Sequence, residues 1–266
     1  MALSSNPAFT NGAFKNSGEK AVATPGMTAQ QLDELYSRPA AGPAETDRMS
    51  YDDVIMKTVI TLVFVLAGAA VGFFLPGLYL PFAFVGFGLA LVNIFKKKPS
   101  APLVLAYGVA QGIFIGGLST ILEMRFPGIA FQAIIATAVV FVVTLALFAN
   151  GKVRASKRAT KIFMIAGISY ALFSLVNLGL QLTGVNNDAW GLFSSPTLFG
   201  IPLGLLIGPI VILMAAYSLV LDFTAIQEGV RTGAPRILGW RAAFGLVVTI
   251  VWLYTEFLRM ISLFRQ

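Results

Sequence analysis

Asp222 and Glu256 are acids set in long apolar runs, and they are the residues best placed to do chemistry. An ionisable group at membrane depth costs several kcal/mol and marks a functional position by default. Glu256 lies in VVTIVWLYTEFLRMISLF, about 20 Å from the start of its run at roughly 1.5 Å per residue. That is too deep for its carboxylate to reach back to the nearer interface. The alternative is an i,i+3 pair with Arg259 near the outer interface. Asp222 stands where another apolar run meets FTAIQEG. Phe223, Ile226 and Val230 recur there at helical spacing, so the helix is expected to run on to Gln227 or beyond and draw Asp222 into the bundle. Otherwise Asp222 is a helix-end carboxylate in water. Two acids in a low-dielectric site share a proton. The protonated pair would bridge two helices; the ionised pair would repel and offer oxygens to a cation. No cofactor is expected.

The remaining polar residues within apolar runs have plainer readings. Lys57 is expected to snorkel from the end of the first run. Gln111 and Asn177 are expected to hydrogen-bond between helices. Gly108, Gly112, Gly116 and Gly117 give small-xxx-small spacing, which permits close helix contact. Pro202 and Pro209 should kink or break the sixth run.

The elements that must position these groups follow from composition. Apolar residues make up 57% and charged residues 12%, against about 25% charged in soluble domains. A polytopic all-α membrane protein is therefore expected, with the lipid bilayer as its first partner. Seven apolar stretches appear: Val54–Phe74, Tyr79–Phe95, Pro102–Leu122, Ile129–Ala149, Ile162–Leu182, Leu198–Leu221 and Ala242–Leu263. Each approaches the roughly 20 residues that a spanning helix needs. The longest connection is expected over Asp222–Arg241. Residues 1–50, rich in Ala, Ser, Pro and Gly, read as a disordered tail, with a helical turn at Thr28–Tyr36 capped by Thr28. Residues 51–266 form the membrane domain. Lys and Arg number eleven in the even-numbered loops and one, Arg125, in the others. That asymmetry predicts a cytoplasmic N-terminus and an outside C-terminus in the plasma membrane. The basic residues are split among short loops, which argues against nucleic acid as a partner. The chain has no His and no Cys. Serine and cysteine triads, HExxH zinc proteases, zinc knuckles and disulfides are excluded, and an enzyme is not expected.

Three segments carry a family resemblance. The sixth run ends in Leu221-Asp222-Phe223, the seventh contains Leu253-Tyr254-Thr255-Glu256-Phe257, and the third contains Tyr107-Gly108-Val109-Ala110-Gln111-Gly112 followed by Gly116. Together they resemble the Bax-inhibitor (transmembrane Bax inhibitor motif) family over residues 50–266. The Ser5-Asn6-Pro7 start is similar to the bacterial, actinobacterial branch. The resemblance implies a seven-transmembrane helix bundle with six helices around a central seventh. It also implies a pH-sensitive calcium leak whose two controlling carboxylates map onto Asp222 and Glu256; water and backbone carbonyls would have to complete the six to eight oxygens that calcium prefers in a weak, transient site. Gln111, Tyr254 and Arg259 are further candidates as supporting residues. Glu256 stands where the family often has Asp, and Gln111 where it often has Glu. The main alternative is an accessory or regulatory subunit of a larger membrane complex, such as a respiratory complex or a membrane protease.

Overall fold

The computed structural model describes residues 28, 30, 47–185, 190–195 and 197–266. The disorder expected of residues 1–50, and the helical turn over Thr28–Tyr36, fall outside the described residues except at Thr28, Gln30 and residues 47–50. Seven described helices are long and apolar enough to cross a membrane. They are α1 (Tyr51–Phe74), α2 (Tyr79–Phe95), α3 (Ala101–Arg125), α4 (Ile129–Ala149), α5 (Lys157–Leu182), α6 (Leu203–Arg231) and α7 (Gly239–Phe264). The protein is a multi-pass membrane protein. Large apolar side chains such as Ile55, Phe131, Ile165 and Leu213 point outward, where lipid takes the place of water.

Local chemistry sets the helix boundaries. Ser50 Oγ accepts from the Asp53 amide at 3.2 Å and caps α1; Ser156 does the same for α5 through the Ala159 amide. Such caps satisfy amides that have no partner within the helix. Between α3 and α4 the chain turns at Gly128 with φ +83°, a conformation that favours glycine. The Glu123 carboxylate receives the Gly128 amide at 2.5 Å and the Ala130 amide at 3.1 Å. A two-residue hairpin, β1 (Thr197–Leu198) with β2 (Ile201–Pro202), leads into α6. Pro202 lies just before the first residue of α6, while Pro209 sits inside a helix that continues to Arg231. The sixth run is thus delimited by one proline and unbroken by the other.

The connection expected over Asp222–Arg241 is mostly helix, as the helical spacing of Phe223, Ile226 and Val230 predicts, rather than a long loop. Phe223 and Ile226 are buried, and their packing extends α6 beyond Gln227. Only the turn through Gly233 (φ +64°) and a 3-10 turn at Arg236–Leu238 remain before α7.

The seventh helix is central. Ala243, Val247, Leu253 and Leu258 have no exposed surface. It packs against α1, α3, α4 and α6. It reaches α5 through Tyr170, and the end of α2 through an Arg241 hydrogen bond to the Lys96 carbonyl at 2.7 Å. The expected glycine contact joins α1 to α3. A Cβ at Gly112 would meet the Val65 carbonyl, and one at Gly116 the Ala69 carbonyl, so the two backbones touch directly.

Residues 47–50 behave as bundle rather than tail. The Met49 amide donates to the Ala234 carbonyl at 2.7 Å, and the Arg236 amide to the Asp47 carbonyl at 2.9 Å. The Met49 side chain is buried among Leu219, Val220 and Phe223.

Candidate functional site

Asp222 sits in the body of α6, about 14 Å from the helix end at Arg231. Its Oδ2 accepts from Thr249 Oγ1 at 2.8 Å, and Thr249 also meets Ser218 Oγ at 3.2 Å. Gly245 leaves room beside it, for a Cβ there would lie 3.1 Å from Asp222 Oδ1. Among the described residues no cation pairs with Asp222.

Glu256 takes the alternative left open by the sequence. It is 2% exposed and pairs with Arg259, itself 5% exposed, one helical turn on. Arg259 Nη1 donates to Tyr170 Oη at 2.8 Å, and Tyr170 Oη donates to Glu256 Oε2 at 3.1 Å. The three side chains close a ring between α5 and α7. The guanidinium also lies 3.7 Å from the centre of the Phe193 ring, a cation–π contact. Its Nε is buried and has no hydrogen-bond partner among the described residues. The loop supplying Phe193 is pinned by Asn177, whose Oδ1 accepts from the Leu192 amide at 2.6 Å. Trp190 Nε1 adds a bond to Ser262 Oγ at 2.7 Å.

Asp222 and Glu256 are therefore anchored separately. Asp222 is bound at Thr249, and Thr249 and Glu256 lie two turns apart on one face of α7, about 10 Å of helix rise. The expected close pair is not assembled in this structure. The buried residues between the two stations include Val211, Ala215, Leu219 and Leu253, all apolar. The reason is register: α6 and α7 are antiparallel, so the position of α6 opposite Glu256 is near Gly208, whose Cβ would lie 3.7 Å from Glu256 Oε1.

The supporting residues divide in the same way. Arg259 belongs to the Glu256 station. Tyr254 turns away and meets Ser119 Oγ of α3 at 2.7 Å. Gln111 packs over Gly86 of α2, apart from both acids. Asn177 holds the α5–α6 loop rather than a neighbouring helix. Lys57 does not snorkel. At 8% exposure it turns inward and donates to Asp53 Oδ2 at 2.5 Å and to the Arg236 carbonyl at 2.7 Å. Arg236 Nε completes that cluster on Asp53 Oδ1 at 2.8 Å. The buried acid there draws Lys57 in, an outcome that hydropathy alone does not signal.

Sequence reasoning missed Tyr170, Thr249 and Phe193. For Thr249 a signal exists: its seven-residue spacing to Glu256 puts both on one helix face. Tyr170 is one of several hydroxyls on α5, beside Thr160, Ser169 and Ser174, so the sequence does not single it out. Among the described residues no three acids gather as a metal cluster. Asp222 with Thr249 offers three oxygens, short of the calcium complement.

A family model described as Bax inhibitor 1 like matches residues 6–266 of this chain. Comparison with curated proteins returned no match.

Proposed function

Given that the chain belongs to the Bax inhibitor 1 like family, we propose that it is a pH-sensitive calcium or cation leak of the plasma membrane, without catalytic activity. Asp222 and Glu256 are its ion-path residues. The observation that carries this reading is Asp222, an acid inside a spanning helix whose only described hydrogen-bond partner is a threonine hydroxyl. At such depth a lone carboxylate is costly, and either a proton or a passing cation offsets the cost. The arrangement described is a shut one. Glu256 is held by Arg259 and Tyr170, and apolar side chains separate it from Asp222. Opening requires Arg259 to release Glu256, so that both acids face one path. The basic loops are read as cytoplasmic and the C-terminus as external, from the charge asymmetry.

The test is calcium flux through the purified chain in liposomes across pH 5–8. Flux that varies with pH, and that Asp222→Asn makes insensitive to pH, is the expected result. Flux no greater than in protein-free liposomes at every pH would overturn the leak. The accessory-subunit reading is favoured by one observation: Glu256 is already neutralised by Arg259, so of the two ion-path acids only Asp222 has no cation partner among the described residues. It predicts no flux, together with co-purification of the chain in a larger membrane assembly in mild detergent.

A further inference from the structure

The geometry points to a binding site for an anionic phospholipid headgroup, at the end of the bundle where α1 and α7 begin and α2 passes into α3. This inference stands apart from the leak reading. Lys57, Lys96, Lys98 and Arg236 wall one open pocket there, with Ser100 and Trp240. The acids at hand are Asp47 in the wall and Asp53 behind it. Asp53 is already shared between Lys57 Nζ and Arg236 Nε. Four cations thus face two carboxylates. Among the described residues, the two terminal nitrogens of Arg236 and the ammonium groups of Lys96 and Lys98 have neither a hydrogen bond nor an ion pair. The pocket is electropositive, and its free donors line one opening, where a phosphate diester could take them up.

The frame of this pocket is held in place. Arg241, in the first turn of α7, donates to the Lys96 carbonyl at 2.7 Å and the Lys97 carbonyl at 3.2 Å. The α2–α3 loop therefore presents its lysines from backbone tied to α7. Asp53 ties Arg236 to α1 in the same way. The Trp240 ring lies under Lys57 Nζ at 5.6 Å, so the wall is fixed on that side as well.

The surroundings favour a lipid over a soluble anion. Trp240 stands at the start of a spanning helix, the level at which indole rings sit between water and hydrocarbon. Ile94 and Phe95, just before Lys96 on α2, are exposed, and so is Ile237 beside Arg236. A free phosphate gains nothing from these apolar neighbours, whereas acyl chains lie along them. Basic pockets between spanning helices at this level recognise anionic headgroups. A lipid here would tie α1, the α2–α3 loop and the start of α7 together.

The experiment uses the full chain in detergent micelles, titrated with short-chain phosphatidylglycerol and followed by tryptophan fluorescence. Short-chain phosphatidylcholine and inorganic phosphate are run in parallel. Phosphatidylglycerol should saturate the signal, and phosphatidylcholine should not. Lys96→Ala with Lys98→Ala should weaken binding by roughly 5-fold per lysine, about 25-fold together. Both side chains are exposed, and an unchanged melting temperature of this variant checks folding. Lys152→Ala with Lys157→Ala removes equal charge from the α4–α5 region and should leave binding unchanged. Equal losses in the two double variants would overturn the site in favour of diffuse attraction. Competition by inorganic phosphate at the same concentration as the lipid would overturn the lipid assignment.

Discussion

Each buried ion in this protein is governed by its own partner. Arg259→Ala would leave Glu256 buried without a cation. Removing one member of a buried pair costs about 3–5 kcal/mol, so a clear fall in the apparent melting temperature is expected. Combining Glu256→Gln with Arg259→Met removes both charges, and the double variant should be more stable than Arg259→Ala alone. Additive losses would show that the two residues act independently. Asp222→Asn differs, because the hydrogen bond from Thr249 can be kept by an amide oxygen. Its melting temperature should stay close to that of the parent, and its effect should appear in flux. A large loss of stability would show that the Asp222 charge holds α6 to α7 and is not reserved for an ion.

The helices depend on how closely they approach. α1 and α3 touch through glycines, and this contact can be tested one position at a time. Gly112→Ala puts a methyl group against the Val65 carbonyl and within 2.9 Å of the Ala69 nitrogen and Gly68 Cα. These are backbone atoms, which cannot swing aside as a side chain can. The helices must separate, so a lowered melting temperature in detergent is expected. Gly88→Ala on α2 meets nothing within 4 Å and should be neutral or slightly stabilising, since alanine is the better helix former. Equal effects at the two positions would mean that helix propensity, rather than contact, determines the outcome.

For the molecule as a whole, the first prediction concerns where the membrane unit begins. The compact unit starts at Pro43, and Met49 lies in its core. Deleting residues 1–42 should leave insertion and melting temperature unchanged. Deleting residues 1–50 removes Met49 and the backbone pairing to Ala234, and losing a buried methionine of this kind costs about 2–5 kcal/mol. Equal behaviour of the two truncations would show that this pairing adds nothing. The second prediction concerns orientation. Reporters fused after Lys98, Lys157 and Arg236 should read cytoplasmic, and those after Gly77 and Gly184 external; a cytoplasmic signal at Gly184 would refute the seven-span orientation.

The seven spans were legible in the chain because hydropathy is a sum over some 20 consecutive residues and needs no knowledge of neighbours. The small face of α3 was legible for a similar reason, since spacing along one helix defines a face; that α1 is the helix packed on it was not. The extension of α6 past Asp222 could be read from the spacing of Phe223, Ile226 and Val230. Which of the offered pairings forms lay beyond the sequence. Whether Glu256 meets Asp222 or Arg259 depends on the depth and rotation of two antiparallel helices, and a difference of two turns separates the outcomes. Lys57 turned inward because Asp53 and the Arg236 carbonyl lie beside it, and Arg236 arrives there only when α7 packs against α1. Composition and spacing determined what each helix is and offered Glu256 and Lys57 a partner on their own helix, Arg259 and Asp53; tertiary packing decided that these partners are taken and buried, and added Tyr170 and Arg236 to them, because burial and hydrogen-bond distances depend on atoms far apart in sequence.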